Sequence, residues 1–246
     1  MGGVSPPDPS SSGAGGRRGS EPLPTGDAKA VAVRGMFDRI SARYDLLNRT
    51  LTFGMDVAWR RRAVGSLDLP ASSLVLDLAC GTGDFCRELA RSGYRPVGFD
   101  FAFGMLAHAR TDAPLVQADA LRLPAADGGA DGITCGFALR NVVDLPALFA
   151  EMARVLRPGG RIAILEVAEP SNRFVRMGHS VYFSHVVPLV GGIVSDRAAY
   201  RYLPRSVAYL PDPSGLLELL RGAGFARPRR LALSRGIAQL LTGTRA

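Results

Sequence analysis

Five residues spaced closely along the chain have the chemistry to hold a nucleotide-like ligand: Asp77, Gly81, Thr82, Gly83 and Asp100. Gly81 and Gly83 end an apolar run in a turn where backbone N–H groups can approach a ligand. Asp100 closes the next apolar segment, at the spacing where a carboxylate accepts both hydroxyls of a ribose. Further on, Arg140 and Asn141 join a permanent cation to an amide, a pair suited to stabilising negative charge and orienting its bearer. Pairing of Arg140 with Asp144 or with a helix end accounts for that arginine equally well. His185, three residues after Tyr182, is a candidate proton acceptor, and a packed core or interface histidine is the simpler alternative.

These residues need a scaffold, and the pattern supplies one. The run 74–80 is apolar enough for a strand buried on both faces. A helix follows, with Asp84 as its expected N-cap, Phe85, Leu89 and Ala90 on its apolar face and Gly93 at its end. Strands are expected at 96–99, 115–117, 132–137 and 161–167, separated by helices around Met105 and from Leu145 to Leu156. That alternation implies right-handed βαβ units and a parallel sheet. Three short helices precede the sheet, at about 33–40, 44–51 and 57–67; within the last, Arg60, Arg61 and Arg62 read as a solvated face. After Pro170 an apolar, aromatic stretch at 174–194 looks like an inserted helical cover, spanning about 171–213 with its flanks. A helix at 214–221 and strands at 225–233 and 237–242 complete the chain.

The length of 246 residues suits one domain, expected over 29–246 behind a disordered, Gly/Ser/Pro-rich tail at 1–28. Net charge is +8, with one lysine among 30 basic residues, a balance that favours anionic surfaces. Cys80, Cys86 and Cys135 form no C-x-x-C pair and no metal-ligand grouping, so no metal is expected and they read as core residues of a reducing cytosol. No apolar run is long enough for a membrane span.

Two readings compete for the glycine turn. A dinucleotide fingerprint needs a third glycine where Cys86 stands. The acidic-x-Gly-x-Gly turn of S-adenosylmethionine-dependent methyltransferases is matched better by Asp77, Gly81 and Gly83, with Ala79 where a further glycine is common. Over about 33–236 the chain resembles the ubiquinone/menaquinone biosynthesis C-methyltransferase family. The resemblance rests on Met36-Phe37-Asp38-Arg39-Ile40, Tyr44-Asp45, Leu51-Thr52-Phe53-Gly54, the 75–84 run, Phe137-Ala138-Leu139-Arg140-Asn141-Val142 and Ser195-Asp196 with Tyr200-Arg201-Tyr202-Leu203.

That resemblance implies an α/β, Rossmann-like class I methyltransferase fold: a mainly parallel seven-stranded sheet with an antiparallel seventh strand, N-terminal helices and a helical cover. It implies S-adenosylmethionine as methyl donor and C-methylation of a prenylated quinol ring, demethylmenaquinol to menaquinol. Cofactor contacts are implied at Thr82, Asp100, Asp119, Ala120 and Gly136. Serine is common at the Gly136 position, so contact there must come through backbone. Arg140 would stabilise a phenolate, Asn141 orient the ring, and His185 or a water take the proton, while Tyr44 and Asp45 close over the methionine end. A cytoplasmic enzyme peripheral to the membrane follows, its oligomeric state open. The alternatives are a benzoquinol, another small aromatic, or nucleic acid. The last is disfavoured because no Asp/Asn-Pro-Pro-aromatic motif follows the fourth strand and the basic residues are scattered.

Overall fold

The computed structural model describes residues 25–170, 177 and 206–246. Three helices come first: α1 (Gly26–Ile40), α2 (Tyr44–Leu51) after a 3-10 turn at Ser41–Arg43, and α3 (Met55–Leu67). The α/β core follows as β1 (Leu74–Leu78), α4 (Asp84–Arg91), β2 (Arg95–Asp100), α5 (Phe103–Ala107), β3 (Leu115–Gln117), β4 (Ala130–Gly136), α6 (Leu145–Val155) and β5 (Leu156–Val167). It ends in α7 (Pro213–Gly222), β6 (Phe225–Leu233) and β7 (Ala238–Arg245).

The seven strands lie in the order β3-β2-β1-β4-β5-β7-β6. β1 to β5 pair in parallel, and β7 runs antiparallel between β5 and β6. From β1 the chain winds outward through β2 to β3, then returns to β4 on the other side of β1. The switch point, where such sheets bind ligands, is the crevice beyond the carboxyl ends of β1 and β4.

Side-chain alternation along the strands fills both faces. Leu76, Leu78, Ile162 and Ile164 pack toward Leu148, Phe149 and Met152 of α6 and Leu216 and Leu220 of α7. Val75, Ala163 and Leu165 point the other way, onto Trp59, Ala63, Val64 and Leu67 of α3 and Leu89 of α4. At about 1.5–3 kcal/mol for each large buried apolar side chain, these two layers set the plane of the crevice. Trp59 also donates its indole N–H to Ser234 Oγ at 2.8 Å, pinning α3 to the β6–β7 turn.

Several boundaries differ from expectation. Helix α1 already includes residues 26–28, assigned above to the tail, and α3 starts two residues early because Gly54, at φ +73, turns the chain into it. Gly83, not Asp84, is the N-cap of α4: its φ of +83 suits glycine, while the Asp84 side chain is taken by arginines. β5 extends back through the glycines at 159 and 160 to Leu156, with a register shift against β4. No described helix is long and apolar enough to cross a membrane. The expected cover at 171–213, and with it His185, Tyr182 and Tyr200 to Tyr202, lies mostly outside the described residues.

Candidate active site

The turn after β1 doubles back on itself: Ala79, Gly81 and Gly83 have φ of +53, +57 and +83. Asp100, at the end of β2, stitches that turn to its own loop. Its carboxylate accepts Gly81 N–H at 2.7 Å and Ala102 N–H at 2.8 Å. Burial nevertheless pushes its pKa above the ordinary aspartate range, against the pull of those two N–H groups. A side chain on Gly83 would come within 2.6 Å of Thr111. Thr82 Oγ1 donates to Asp45 on α2, so the turn is tied to the N-terminal helices as well.

Around this turn lies a cavity of about 170 Å³. Gly81, Thr82, Asp100, Asp119, Ala120 and Gly136, six of the expected cofactor contacts, all line it, and Asn141 joins them. Asp119 is exposed and already accepts Leu121 N–H at 2.9 Å. Gly136 has a steric reason to be glycine, because a Cβ there would sit 2.7 Å from the Phe85 ring.

Three expected site residues stand behind the wall. Gly83 caps α4. Asp77 is 1 % exposed and accepts from Thr134 Oγ1 at 2.9 Å and Cys86 Sγ at 3.5 Å; burial raises it to about 7. The Cys80 thiol lies beside Cys86 and donates to the Gly81 carbonyl at 3.8 Å, and a Cβ on Gly98 would lie 2.8 Å from the Cys80 sulfur and 3.1 Å from the Cys86 sulfur. Arg140 is the third. Its guanidinium pairs with Glu166, not Asp144, and its backbone N–H donates to the same carboxylate at 3.3 Å. Asp144 instead caps α6 by accepting Ala147 N–H.

Sequence reasoning missed a cationic wall. Arg60, read as solvated, is 7 % exposed, whereas Arg61 and Arg62 are exposed as expected. It pairs with Asp56 one turn back and with Asp84 at 3.1 Å, and its guanidinium carbon lies 5.9 Å from the Phe137 ring centre. Burial alone would lower its pKa, but Asp84 and Asp56 hold it above the ordinary value. Tyr44, also on the cavity wall, feels both arginines: burial pushes its phenol up, while Arg140 and then Arg60 pull it down. Phe137, at φ +58, turns the chain from β4 into the 3-10 turn Leu139–Asn141 that carries Arg140 and Asn141. Helix α1 supplies Ala30, Val33, Arg34 and Phe37 to the same wall.

Carboxylates at Asp100 and Asp119, a glycine turn and apolar walls suit a nucleoside carrying a short polar arm, and an S-adenosylmethionine molecule fits that donor set. The chain matches the ubiE/COQ5 methyltransferase family over residues 25–245. It is 44 % identical to demethylmenaquinone methyltransferase of Deinococcus radiodurans, covering 89 % of this chain and 96 % of that one. It is 43 % identical to the Thermus thermophilus protein of the same name, covering 85 % and 100 %. Among solved structures, an S-adenosylmethionine-dependent methyltransferase of Thermotoga maritima, described as a possible histamine N-methyltransferase, shares the fold at a TM-score of 0.62. Identity there is 18 %, with 87 % of this chain and all of that one covered.

Proposed function

The chain belongs to the ubiE/COQ5 methyltransferase family, and we propose that it methylates a ring carbon of a prenylated naphthoquinol, converting demethylmenaquinol to menaquinol. One observation carries this reading: a single cavity is lined by six cofactor-type contacts and, beside them, by Asn141 and a tyrosine held in the field of two arginines. Asp100, Gly81, Thr82, Asp119, Ala120 and the backbone of Gly136 would hold S-adenosylmethionine. Bound there, it supplies an electrophilic methyl group on a sulfonium. The protein's task is to align the acceptor carbon and raise its electron density.

Only the reduced ring answers that need. A quinol hydroxyl that gives up its proton becomes an electron-rich phenolate; the carbon beside it would take the methyl as the methyl–sulfur bond breaks, leaving S-adenosylhomocysteine, and the hydrogen on that carbon then leaves as a proton while the ring oxygen regains one, for a net release of one proton. Arg140, fixed by Glu166, and Arg60, fixed by Asp56 and Asp84, pull the Tyr44 phenol down against its burial, and its hydroxyl can donate to the phenolate oxygen. Asn141 orients the ring from the same wall, and His185 or a water takes the proton.

The acceptor's prenyl tail calls for a lipid surface, and α1 to α2 support peripheral docking there. Between residues 29 and 53 the exposed side chains include Val31, Leu46 and Phe53 with Arg34, Arg39, Arg43 and Arg49, and no carboxylate is exposed among them. The test of function is one methylation assay run with reduced and with oxidised demethylmenaquinone, and with a demethylated benzoquinol beside them, products identified by mass spectrometry and NMR. C-methylation confined to the reduced naphthoquinol is expected. Equal turnover of both redox forms, or an O-methyl product, would overturn the mechanism; preference for the benzoquinol would reassign the acceptor.

A further inference from the structure

Lys29, the one lysine of the chain, is 4 % exposed, and no carboxylate lies within salt-bridge distance of it among the described residues. Taking an ammonium out of water without a counter-charge is expensive, so its position demands an account. Among the described residues, two groups compensate it. Nζ donates to the Val142 carbonyl at 2.8 Å, and it sits 3.7 Å from the centre of the Tyr209 ring. Each belongs to a different part of the cavity's surroundings.

Val142 is the C-cap of the turn that carries Arg140 and Asn141, and it lines the cavity itself. Tyr209 closes the 3-10 turn Val207–Tyr209. Lys29 lies on α1, beside Ala30 and one helical turn before Val33 and Arg34, all on the cavity wall. The ammonium is therefore where the cofactor-side helix, the Arg140–Asn141 turn and the segment leading into α7 meet.

We infer that Lys29 is a positioning residue that clasps α1 onto the Arg140–Asn141 turn, so that closing the cofactor cavity and aligning the methyl acceptor are one event. The inference rests on the methyltransferase reading of the cavity, but not on the identity of the acceptor. Other ties hold α1 elsewhere: Asp38 accepts Gly104 N–H at 2.8 Å, and Ser41 Oγ lies 3.3 Å from His108 Nδ1. Loss of Lys29 should thus loosen one end of the helix and leave it docked at the other.

The test compares Lys29→Met, Lys29→Arg and Tyr209→Leu with the parent full-length chain. S-adenosylmethionine affinity is read by calorimetry and amide exchange by mass spectrometry, both without acceptor; kcat and acceptor KM follow separately. For Lys29→Met the dissociation constant should rise about tenfold and kcat should fall by a similar factor, one charged hydrogen bond and one cation–π contact having been lost. Exchange should quicken at 26–34 and 139–143 while β1 and β4 stay protected. Lys29→Arg, which keeps a charged donor, should recover most of both losses. If Lys29→Met fails to fold, Tyr209→Leu tests the same clasp with the ammonium–carbonyl bond intact, and a smaller shift in the same directions is expected. Parent-like affinity and exchange in Lys29→Met, or in Tyr209→Leu where that is the variant measured, would overturn the clasp. So would exchange that quickens uniformly, or equal impairment of Lys29→Arg, either of which would make the lysine a packing element only. A naphthoquinol that proves not to be the acceptor would leave the affinity and exchange results standing.

Discussion

Removing Glu166 should cost the protein more than removing any other single carboxylate near the site. The side chains of Arg140 and Glu166 are 8 % and 0 % exposed, and the carboxylate also accepts Val167 N–H at 2.8 Å. Glu166→Ala leaves a buried guanidinium without its counter-ion and two backbone donors without an acceptor, a loss of about 3–5 kcal/mol. For a chain of this size that corresponds to a fall in melting temperature of roughly 6–20 °C. Glu166→Gln keeps an oxygen for Val167 and loses only the charge, so about 1.5–3 kcal/mol is expected. Replacing both partners, Arg140→Leu with Glu166→Leu, removes the stranded charge. The double variant should be more stable than Glu166→Ala, yet with much reduced turnover, because the larger of the two arginine influences on Tyr44 is lost. Urea titration checks this, followed by circular dichroism and by the fluorescence of Trp59, the only tryptophan, whose ring lies 6.3 Å from Phe137. The reasoning fails if Glu166→Ala stays within about 1 kcal/mol of the parent, or if the double variant turns over at the parent rate.

Asp100→Ala removes the proposed ribose acceptor and leaves Gly81 and Ala102 N–H unpaired, so calorimetry should show cofactor binding weakened by about 1–3 kcal/mol; unchanged affinity would remove Asp100 from the site. Asp77 gives a pH signature. With its native value near 7 and its unfolded value near 3.9, the folded state holds a proton that the unfolded state has released between those limits. Stability should therefore decline as pH rises from about 4 to 7, by up to roughly 4 kcal/mol, and level off above. Urea midpoints across that range should show a shallower decline for Asp77→Asn, and an identical slope would exclude Asp77 as the source. Sedimentation with anionic vesicles should exceed that with neutral ones, fall with salt, and drop when Leu46 and Phe53 are replaced by Ser. Binding indifferent to lipid charge would remove the electrostatic part of docking.

The sheet was legible because its strands are short apolar runs bounded by Gly, Pro and Asp, and because βαβ handedness leaves few ways to order them. The glycine turn and Asp100 on the cavity wall were legible for a related reason: a turn that must approach a ligand needs glycine, and a ribose needs a carboxylate at one spacing. Ala79 shows the limit of that logic, since its φ of +53 is the conformation a glycine would adopt and the chain carries an alanine there regardless. Pairings across the fold were not legible. Asp144 is close to Arg140 in sequence, but β4 and β5 run side by side and bring Glu166 to it across 26 residues. Arg60 looked like its neighbours Arg61 and Arg62. Its burial is decided by Asp84, on a helix beyond β1, and no local pattern encodes that partner. Likewise the apolar face of α1 has the same period whether it packs on a core or walls a cavity, and Val33 and Phe37 do the latter.

The paired thiols beneath the glycine turn matter for an enzyme that handles quinones. An oxidised naphthoquinone is an electrophile, and a thiolate within reach of it would be arylated. Cys80 borders the cavity. The adjacent Cys86, reinforced by burial, holds that thiol far above its ordinary value; Cys80 in turn pulls Cys86 down, and burial with Asp77 raises it by more. Thiols kept protonated are poor nucleophiles. Burial beneath the turn thereby acts as a chemical safeguard: with Cys80 and Cys86 kept as thiols, the glycine turn resists covalent capture by an oxidised quinone ring.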